Sequence, residues 1–183
     1  MCIRAYRTIS ADAAAVINLS PPLIDRIRVR SIRWLLSKGR AIRQPGIFAD
    51  LLAETPDPSR SDFQKVIRTA WSCEWLVSKA DPWTHQLFPT VEQRARTDLR
   101  PTFWLTQGLS GHGVFNAYLE RFRLHDAANC PCGYEKEDAE HVFRFCPRFA
   151  EGRARVWRRP LERRNLQYME NVVKELWLIE NPG

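Results

Sequence analysis

No stretch of the chain approaches the roughly eighteen consecutive apolar residues that a membrane-spanning helix needs, so no membrane partner is expected. The N-terminus, Met1-Cys-Ile-Arg-Ala-Tyr-Arg7, lacks the apolar core and small-residue cleavage site of a secretory signal, and an intracellular protein is expected. Recognisable catalytic patterns are missing as well. There is no Gly-rich phosphate loop, no G-x-S-x-G and no H-E-x-x-H. Phe48-Ala49-Asp50 offers one carboxylate, but Leu51 stands where two-metal phosphoryl transfer would need a second. The five cysteines are an odd number, which argues against a disulfide framework and for metal binding or buried thiols. No internal repeat, low-complexity tract or sustained strand alternation is present.

What the chain does contain is enough apolar material for a core. Its 183 residues are 44% hydrophobic and 27% charged, which excludes wholesale disorder and allows one domain or two small ones. Seven Trp and nine Phe suit packed helices or contact surfaces. The net charge is +7, and the excess is arginine, 23 Arg against 5 Lys. Guanidinium pairs bidentately with phosphate and stacks on bases, so the bias fits nucleic acid, with a merely Arg-rich composition as the plain alternative.

The periodicity predicts a mainly α fold. Ser10 reads as the N-cap of a short Ala-rich helix that stops before Ser20-Pro21-Pro22. Pro22 fits the first position of a second, basic amphipathic helix, with Leu23, Ile27, Ile32, Leu35 and Leu36 interleaved by Arg26, Arg28, Arg30 and Arg33. Pro56-Asp57-Pro58-Ser59 is the clearest break. From Ser61, Phe63, Val66, Ile67, Ala70 and Trp71 repeat at helical spacing, ending by Asp81-Pro82, and Cys73 reads as a core residue of that helix. A short helix is expected from Pro89 through Arg96. Gly108, Gly111 and Gly113 punctuate the next stretch, Val114 to Phe122 lines a helical face, and a last helix covers about 166 to 178.

Cys130-Pro-Cys132-Gly-Tyr-Glu-Lys-Glu-Asp-Ala-Glu-His141-Val-Phe-Arg-Phe-Cys146 has the spacing C-x-C-x8-H-x4-C. Three thiolates and one imidazole complete a tetrahedral set, the usual makeup of a structural zinc site, so Cys130, Cys132, His141 and Cys146 are expected to hold one zinc. Chance clustering of reduced cysteines is the alternative, and a Cys130–Cys132 disulfide would close a strained ring. Gly133 can take a positive φ and wrap backbone around the metal. On a continuing α-helix Cys146 would point away from His141, but a residue before proline is pushed out of the α region, so Pro147 lets it turn back. Arg144 and Arg148 are placed to offset the net negative charge of the site.

After the cluster the chain turns basic. Arg144, Arg148, Arg153, Arg155, Arg158, Arg159, Arg163 and Arg164 face only Glu151 and Glu162, with Phe149 and Trp157 among them. Arg144, Arg148, Arg153, Arg155, Arg158 and Arg159 are candidate nucleic-acid contacts, with a solvated basic face as the alternative. His112, between two glycines, fits either a nucleic-acid contact or a turn. His85 and His125 read as surface residues rather than ligands, and Cys2 has no ligand company.

Three stretches resemble the C-terminal end of the reverse-transcriptase polyprotein of arthropod type-1 non-LTR retrotransposons, the group that inserts in ribosomal RNA genes. They are Arg4-Ala-Tyr-Arg-Thr-Ile-Ser-Ala-Asp-Ala-Ala-Ala-Val-Ile with Pro21-Pro22-Leu23, then Leu109-Ser-Gly-His-Gly-Val-Phe-Asn-Ala-Tyr-Leu, then the Cys130, Cys132, His141, Cys146 set with Cys146-Pro147-Arg148-Phe149. Together they span about residues 2 to 150. The resemblance implies a tail that follows an endonuclease and a polymerase and serves target-primed reverse transcription. Neither catalytic part is present in this sequence, so those activities are credited to a parent polyprotein. The metal spacing also differs from the retroviral knuckle, C-x2-C-x4-H-x4-C, and that knuckle's RNA preference does not carry over.

The resemblance divides the chain into 1–58, thumb- or linker-like helices after the polymerase; 59–127, a helical connector; 128–150, the Cys3His zinc module; and 151–183, a basic helical tail. The expected partners are RNA and/or DNA and the parent polymerase domain, with a nuclear site of action on chromosomal DNA. The alternative is a zinc-braced protein-interaction or packing module that makes no direct contact with nucleic acid.

Overall fold

A computed structural model describes residues 7–40, 46–53, 57–156 and 162–180. The described residues are mainly helical, with no strand among them. The helices are α1 (Ala11–Ile17), α2 (Leu23–Ser37), α3 (Ile47–Ala53), α4 (Arg60–Val77), α5 (Pro82–Leu87), α6 (Val91–Arg96), α7 (Phe103–Ser110), α8 (Asn116–Arg121), α9 (Ala150–Val156) and α10 (Arg163–Glu180). None is long and apolar enough to cross a membrane.

Local chemistry sets the helix starts. The Ser10 side chain accepts from the Ala13 amide at 3.1 Å, and Ser59 and Asp62 form a reciprocal capping box at the head of α4. Thr90 and Thr102 cap α6 and α7 in the same manner. Pro22 is the N-cap of α2 rather than its first residue, and Pro82 opens α5 instead of only closing α4. α7 falls within the stretch where the glycines suggest punctuation. It is buried from Leu105 to Ser110, and a helix enclosed on all sides carries no amphipathic period to read.

Two apolar clusters form, and α4 joins them. Its N-terminal half supplies Phe63, Val66 and Ala70 to a small cluster with Val29 and Ile32 of α2 and Phe48 and Leu52 of α3. Trp71 and Trp75 enter the larger cluster, with Ala13, Val16 and Ile17 of α1, Trp83, Leu105, Leu109, Phe115, and Met169, Val172 and Val173 of α10. The same cluster takes in Cys130, Val142, Phe143 and Cys146, so the metal-ligand segment is part of the main core. Cys73, expected in the core, is exposed instead. At 100° per residue it lies just outside the arc that α4 buries, which runs from Val66 through Phe63 to Trp75.

Several buried polar groups find partners across elements. Trp75 Nε1 donates to the Phe88 carbonyl at 2.8 Å, and Trp83 Nε1 to the Gly108 carbonyl at 2.8 Å. His85, expected at the surface, is half-buried and stacks on Trp75 at 3.9 Å between ring centroids. Arg94 is buried without a carboxylate. Its guanidinium donates to the carbonyls of Ile17 (2.8 Å), Thr97 (3.2 Å) and Leu99 (3.3 Å), closing the C-terminal end of α1, and burial lowers its pKa to about 10.

Candidate metal centre

The four ligand atoms of Cys130, Cys132, His141 and Cys146 all lie within 4.8 Å of one another. Among the described residues this is the one group of three or more potential ligands brought together. Cys130 Sγ and Cys146 Sγ are 3.7 Å apart, and Cys132 Sγ and His141 Nε2 are 3.3 Å apart. A tetrahedron with Zn–S of about 2.3 Å and Zn–N of about 2.0–2.1 Å has S···S edges of about 3.8 Å and S···N edges of about 3.6 Å. The cluster is therefore nearly the size that zinc requires.

Each ligand is placed by a local device. The Gly133 amide donates to the Cys130 carbonyl at 2.9 Å, and the Cys130 amide to the Tyr134 carbonyl at 2.8 Å. This tight turn needs the positive φ of +93° at Gly133. On the other side, Asp138 accepts from the His141 amide at 2.8 Å and starts the segment His141–Phe145, which is wound as a π turn. The Cys146 amide donates to the His141 carbonyl at 2.7 Å, so the turn closes over five residues and both ligands face one side. Cys146 is extended (φ −57°, ψ 124°), as its position before Pro147 demands. The π winding is the device that sequence reasoning missed.

Burial and backbone dipoles pull the ligand thiols in opposite directions. Burial pushes the Cys130 thiol up to about 12 and raises that of Cys146. Backbone amides work against this, from Cys132 toward Cys130 and from Arg148 toward Cys146. At the rim, the Tyr134 amide lowers the Cys132 thiol. All three donors sit two residues beyond the cysteine they serve. Burial also lowers the His141 pKa, which keeps its imidazole neutral, the form a metal takes. Tyr134 stacks on that ring at 4.3 Å and 6°, fixing its plane. Glu137 is buried beside Cys130 (Sγ to Oε1, 3.4 Å) and is paired with Arg148 at 3.1 Å. The donor set, edge lengths and amide dipoles together fit a four-coordinate metal.

Alignment with known proteins covers this site. The chain is 32% identical over 155 residues to the Retrovirus-related Pol polyprotein from type-1 retrotransposable element R1 4 of Nasonia vitripennis, covering 82% of this chain and 39% of that protein. It is 27% identical over 158 residues to the Putative 115 kDa protein in type-1 retrotransposable element R1DM of Drosophila melanogaster, covering 82% and 15% respectively. A Popillia japonica R1 Pol polyprotein is 34% identical over 99 residues, 52% of this chain and 38% of the relative. The chain is homologous to part of the type-1 retrotransposon Pol polyproteins. It spans less than half the length of these relatives. No family model matches it. No solved structure matches it either.

The three stretches that carry the resemblance to type-1 Pol polyproteins meet in space. Thr8 Oγ1 lies 3.2 Å from His112 Nδ1 and 2.6 Å from the Tyr118 hydroxyl. His112 Nε2 is 3.3 Å from Asp81 Oδ1, and Asp81 Oδ2 accepts from the Ser10 amide at 3.2 Å. Burial raises the Asp81 pKa, but the bonds from His112 and Ser10 outweigh it and lower the carboxyl overall. His112 thus sits in a fastening between the N-terminal stretch and the glycine loop. From there Asn116 Nδ2 donates to the Asn129 carbonyl at 3.0 Å, and the Ala117 amide to the Glu137 carbonyl at 3.1 Å, joining α8 to the metal loop.

The candidate arginines divide. Arg144 donates to Glu140 at 2.9 Å and to Gln86, and lies 5.0 Å over the Trp83 ring. Arg148 holds Glu137, and Arg153 Nη1 donates to the Cys146 carbonyl at 3.0 Å. These three brace the metal module from behind. Arg155 is exposed and pairs with Glu151, one turn away. Arg163 and Arg164 are exposed at the head of α10. Arg158, Arg159 and Trp157 lie outside the described residues, as do Cys2 and residues 4–6 of the first stretch.

Proposed function

We propose that this chain is a zinc-stabilised nucleic-acid-binding C-terminal portion of a non-LTR retrotransposon reverse transcriptase/endonuclease polyprotein of the rDNA-inserting group. In this reading it serves target-primed reverse transcription in the nucleus. The observation that carries the proposal is the Cys3His tetrahedron inside a segment homologous to type-1 Pol polyproteins. Cys130, Cys132, His141 and Cys146 hold one structural zinc, which supplies a covalent-like crosslink between the Cys130–Gly133 turn and the π turn. Four protein ligands fill the tetrahedron, so the ion's part is to brace the fold.

The contacts to RNA or DNA come from Arg155, which is exposed, and from Arg158 and Arg159 further along the basic run. Their binding is electrostatic and largely independent of sequence. The parent polyprotein supplies the polymerase and endonuclease chemistry, and its polymerase domain is the second partner. The divisions at 58, 127 and 150 are read as stations along that tail.

The test is a salt titration of binding to single-stranded RNA, single-stranded DNA and duplex DNA, with wild type beside Arg155→Gln/Arg158→Gln/Arg159→Gln. Arg153 is kept, because it holds the Cys146 carbonyl. Wild-type affinity should fall steeply with salt, and the variant should show a flatter slope with unchanged zinc content. Absence of salt-dependent binding by wild type would refute the nucleic-acid reading. A second reading, a zinc-braced protein-interaction module, is favoured by one observation: Arg144, Arg148 and Arg153 are engaged within the fold. It predicts little binding at physiological salt.

A further inference from the structure

Helix α2 carries apolar residues on its outward side as well as on its buried one. Its buried side holds Asp25, Val29 and Ile32, which pack toward α3 and α4. At 100° per residue, Leu23, Ile27, Arg30 and Trp34 lie on the side opposite that buried row. Leu23 is 68% exposed, Ile27 50% and Trp34 55%. A surface helix normally turns charge and polarity outward, so an outward row of Leu, Ile and Trp marks a contact surface.

The charges on this face are of one sign. Arg26 and Arg30 are exposed and line the apolar row, with no carboxylate partner among the described residues. Arg40 reaches back over the Trp34 ring at 5.8 Å, and an open groove of ≈ 470 Å³ is lined by Arg30, Ser31, Trp34 and Leu35. Arg33 is committed elsewhere, stacked 5.5 Å over Phe63, and Arg28 is paired with Asp25 and Glu74. Asp25, the helix's one acidic residue, is fully buried on the far side. Arg30 stands between Ile27 and Trp34, so positive charge lies within the apolar row itself and suits a polyanionic partner.

We infer that the outward face of α2 binds a single-stranded polynucleotide, with the Trp34 indole as a stacking platform and Arg26, Arg30 and Arg40 on the phosphates. An exposed aromatic flanked by cations is the arrangement that recognises unpaired strands without regard to sequence, because every base has a π face. From Arg26 to Trp34 the helix rises about 12 Å, the length of three to four stacked nucleotides at roughly 3.4 Å each. A duplex keeps its base faces hidden, so the surface discriminates against it. The inference rests on the reading above that the chain binds nucleic acid, but it assigns the strand to a surface far in sequence from the basic run after Cys146.

The experiment is fluorescence anisotropy of labelled oligouridylate, oligothymidylate and duplex DNA with the full, zinc-loaded chain. Wild type is compared with Arg26→Gln/Arg30→Gln, Trp34→Ala and Trp34→Phe, and circular dichroism confirms that each is folded. Trp34→Ala should weaken single-strand binding by roughly 5- to 150-fold with the salt slope nearly unchanged, and Trp34→Phe should restore most of it. The double Gln variant should flatten the log–log salt slope by about 1.4, two phosphates at about 0.7 each. The uridylate and thymidylate arms report whether the strand is RNA or DNA. Wild-type binding that all three variants leave unchanged would place the strand elsewhere and overturn the inference while the proposed function stands. No wild-type binding would overturn both. Self-association abolished by Trp34→Ala, with nucleic-acid affinity unaltered, would assign the face to a second copy of the chain and overturn the inference.

Discussion

Around the cysteine cluster, Arg144, Arg148 and Arg153 direct their guanidiniums into the protein, onto Glu140, Glu137 and the Cys146 carbonyl. On α2, Arg26 and Arg30 stand in solvent beside exposed Ile27 and Trp34. Both regions are arginine-rich in sequence, and a count of charges does not separate them. The difference lies in what each packs against. Near the cysteine cluster, Glu140, buried Glu137 and the Cys146 carbonyl at the end of the π turn create a demand for donors, and the nearest arginines meet it. On α2 the single acid is turned inward, and Arg26 and Arg30 have no carboxylate partner among the described residues.

Metal removal is the harshest way to test this contrast. Chelation should expose the amides of residues 128–150 to hydrogen exchange and cost several kcal/mol of stability, because the site's binding energy is coupled to folding. The α2–α3–α4 cluster, held by Val29, Ile32, Phe48, Leu52, Phe63 and Val66, should keep its protection. Loss of protection across both regions at once would show that they unfold as one unit.

Arg148→Gln comes next in size. It removes the Arg148 cation from the buried Glu137 carboxylate beside Cys130, at a cost of about 3 kcal/mol in chemical denaturation. Arg26→Gln/Arg30→Gln should change stability by less than about 0.5 kcal/mol, as for exposed positions in general. Equal costs for the two sets would erase the distinction between bracing and outward-facing arginines.

Gly113→Ala should cost about 1–3 kcal/mol. The glycine has φ +135°, and a Cβ there runs into the side chain of Gln107, whose Oε1 accepts from the Val114 amide at 3.2 Å. Thermal melts should show the loss without loss of zinc.

The smallest expected effect concerns Asp25, whose pKa is raised by burial against the pull of Arg28. A carboxyl with a raised folded pKa favours the folded state when protonated. That contribution is full below the unfolded value and is lost as pH rises through the folded one. Asp25→Asn should therefore gain stability relative to wild type as pH increases from about 4 to 7. A difference that is flat with pH would mean that the Asp25 carboxyl titrates alike in the folded and unfolded states.

Much of this was legible in the residues themselves. The caps at Ser10 and Ser59, the basic helix after Pro22 and the α10 pattern of Leu166, Met169, Val172, Val173 and Leu176 announce helices through polar starts and a 3.6-residue period. The ligand set was legible because C-x-C-x8-H-x4-C carries its own chemistry, and Gly133 takes the positive φ expected of it. α7 was hidden because a fully enclosed helix shows no period. In α2 the apolar residues were visible, but Leu23 and Ile27 fall on the opposite side from Val29 and Ile32, a split that only the neighbouring helices decide. The π turn at His141–Phe145 arises from Asp138 at its start and Pro147 at its end, a cooperation of flanks that no single residue announces. His112 shows the same limit, since its partners Thr8 and Asp81 are distant in sequence.

The central claim is that Cys130, Cys132, His141 and Cys146 close a structural zinc site on which the module's fold depends. It is tested most directly by native mass spectrometry and elemental analysis of the purified chain beside Cys132→Ala/His141→Ala. The account predicts one zinc per chain in the wild type and none in the double variant, with loss of the hydrogen-exchange protection of residues 128–150. Full zinc stoichiometry in the double variant, or a metal-free wild type that keeps that protection, would contradict it.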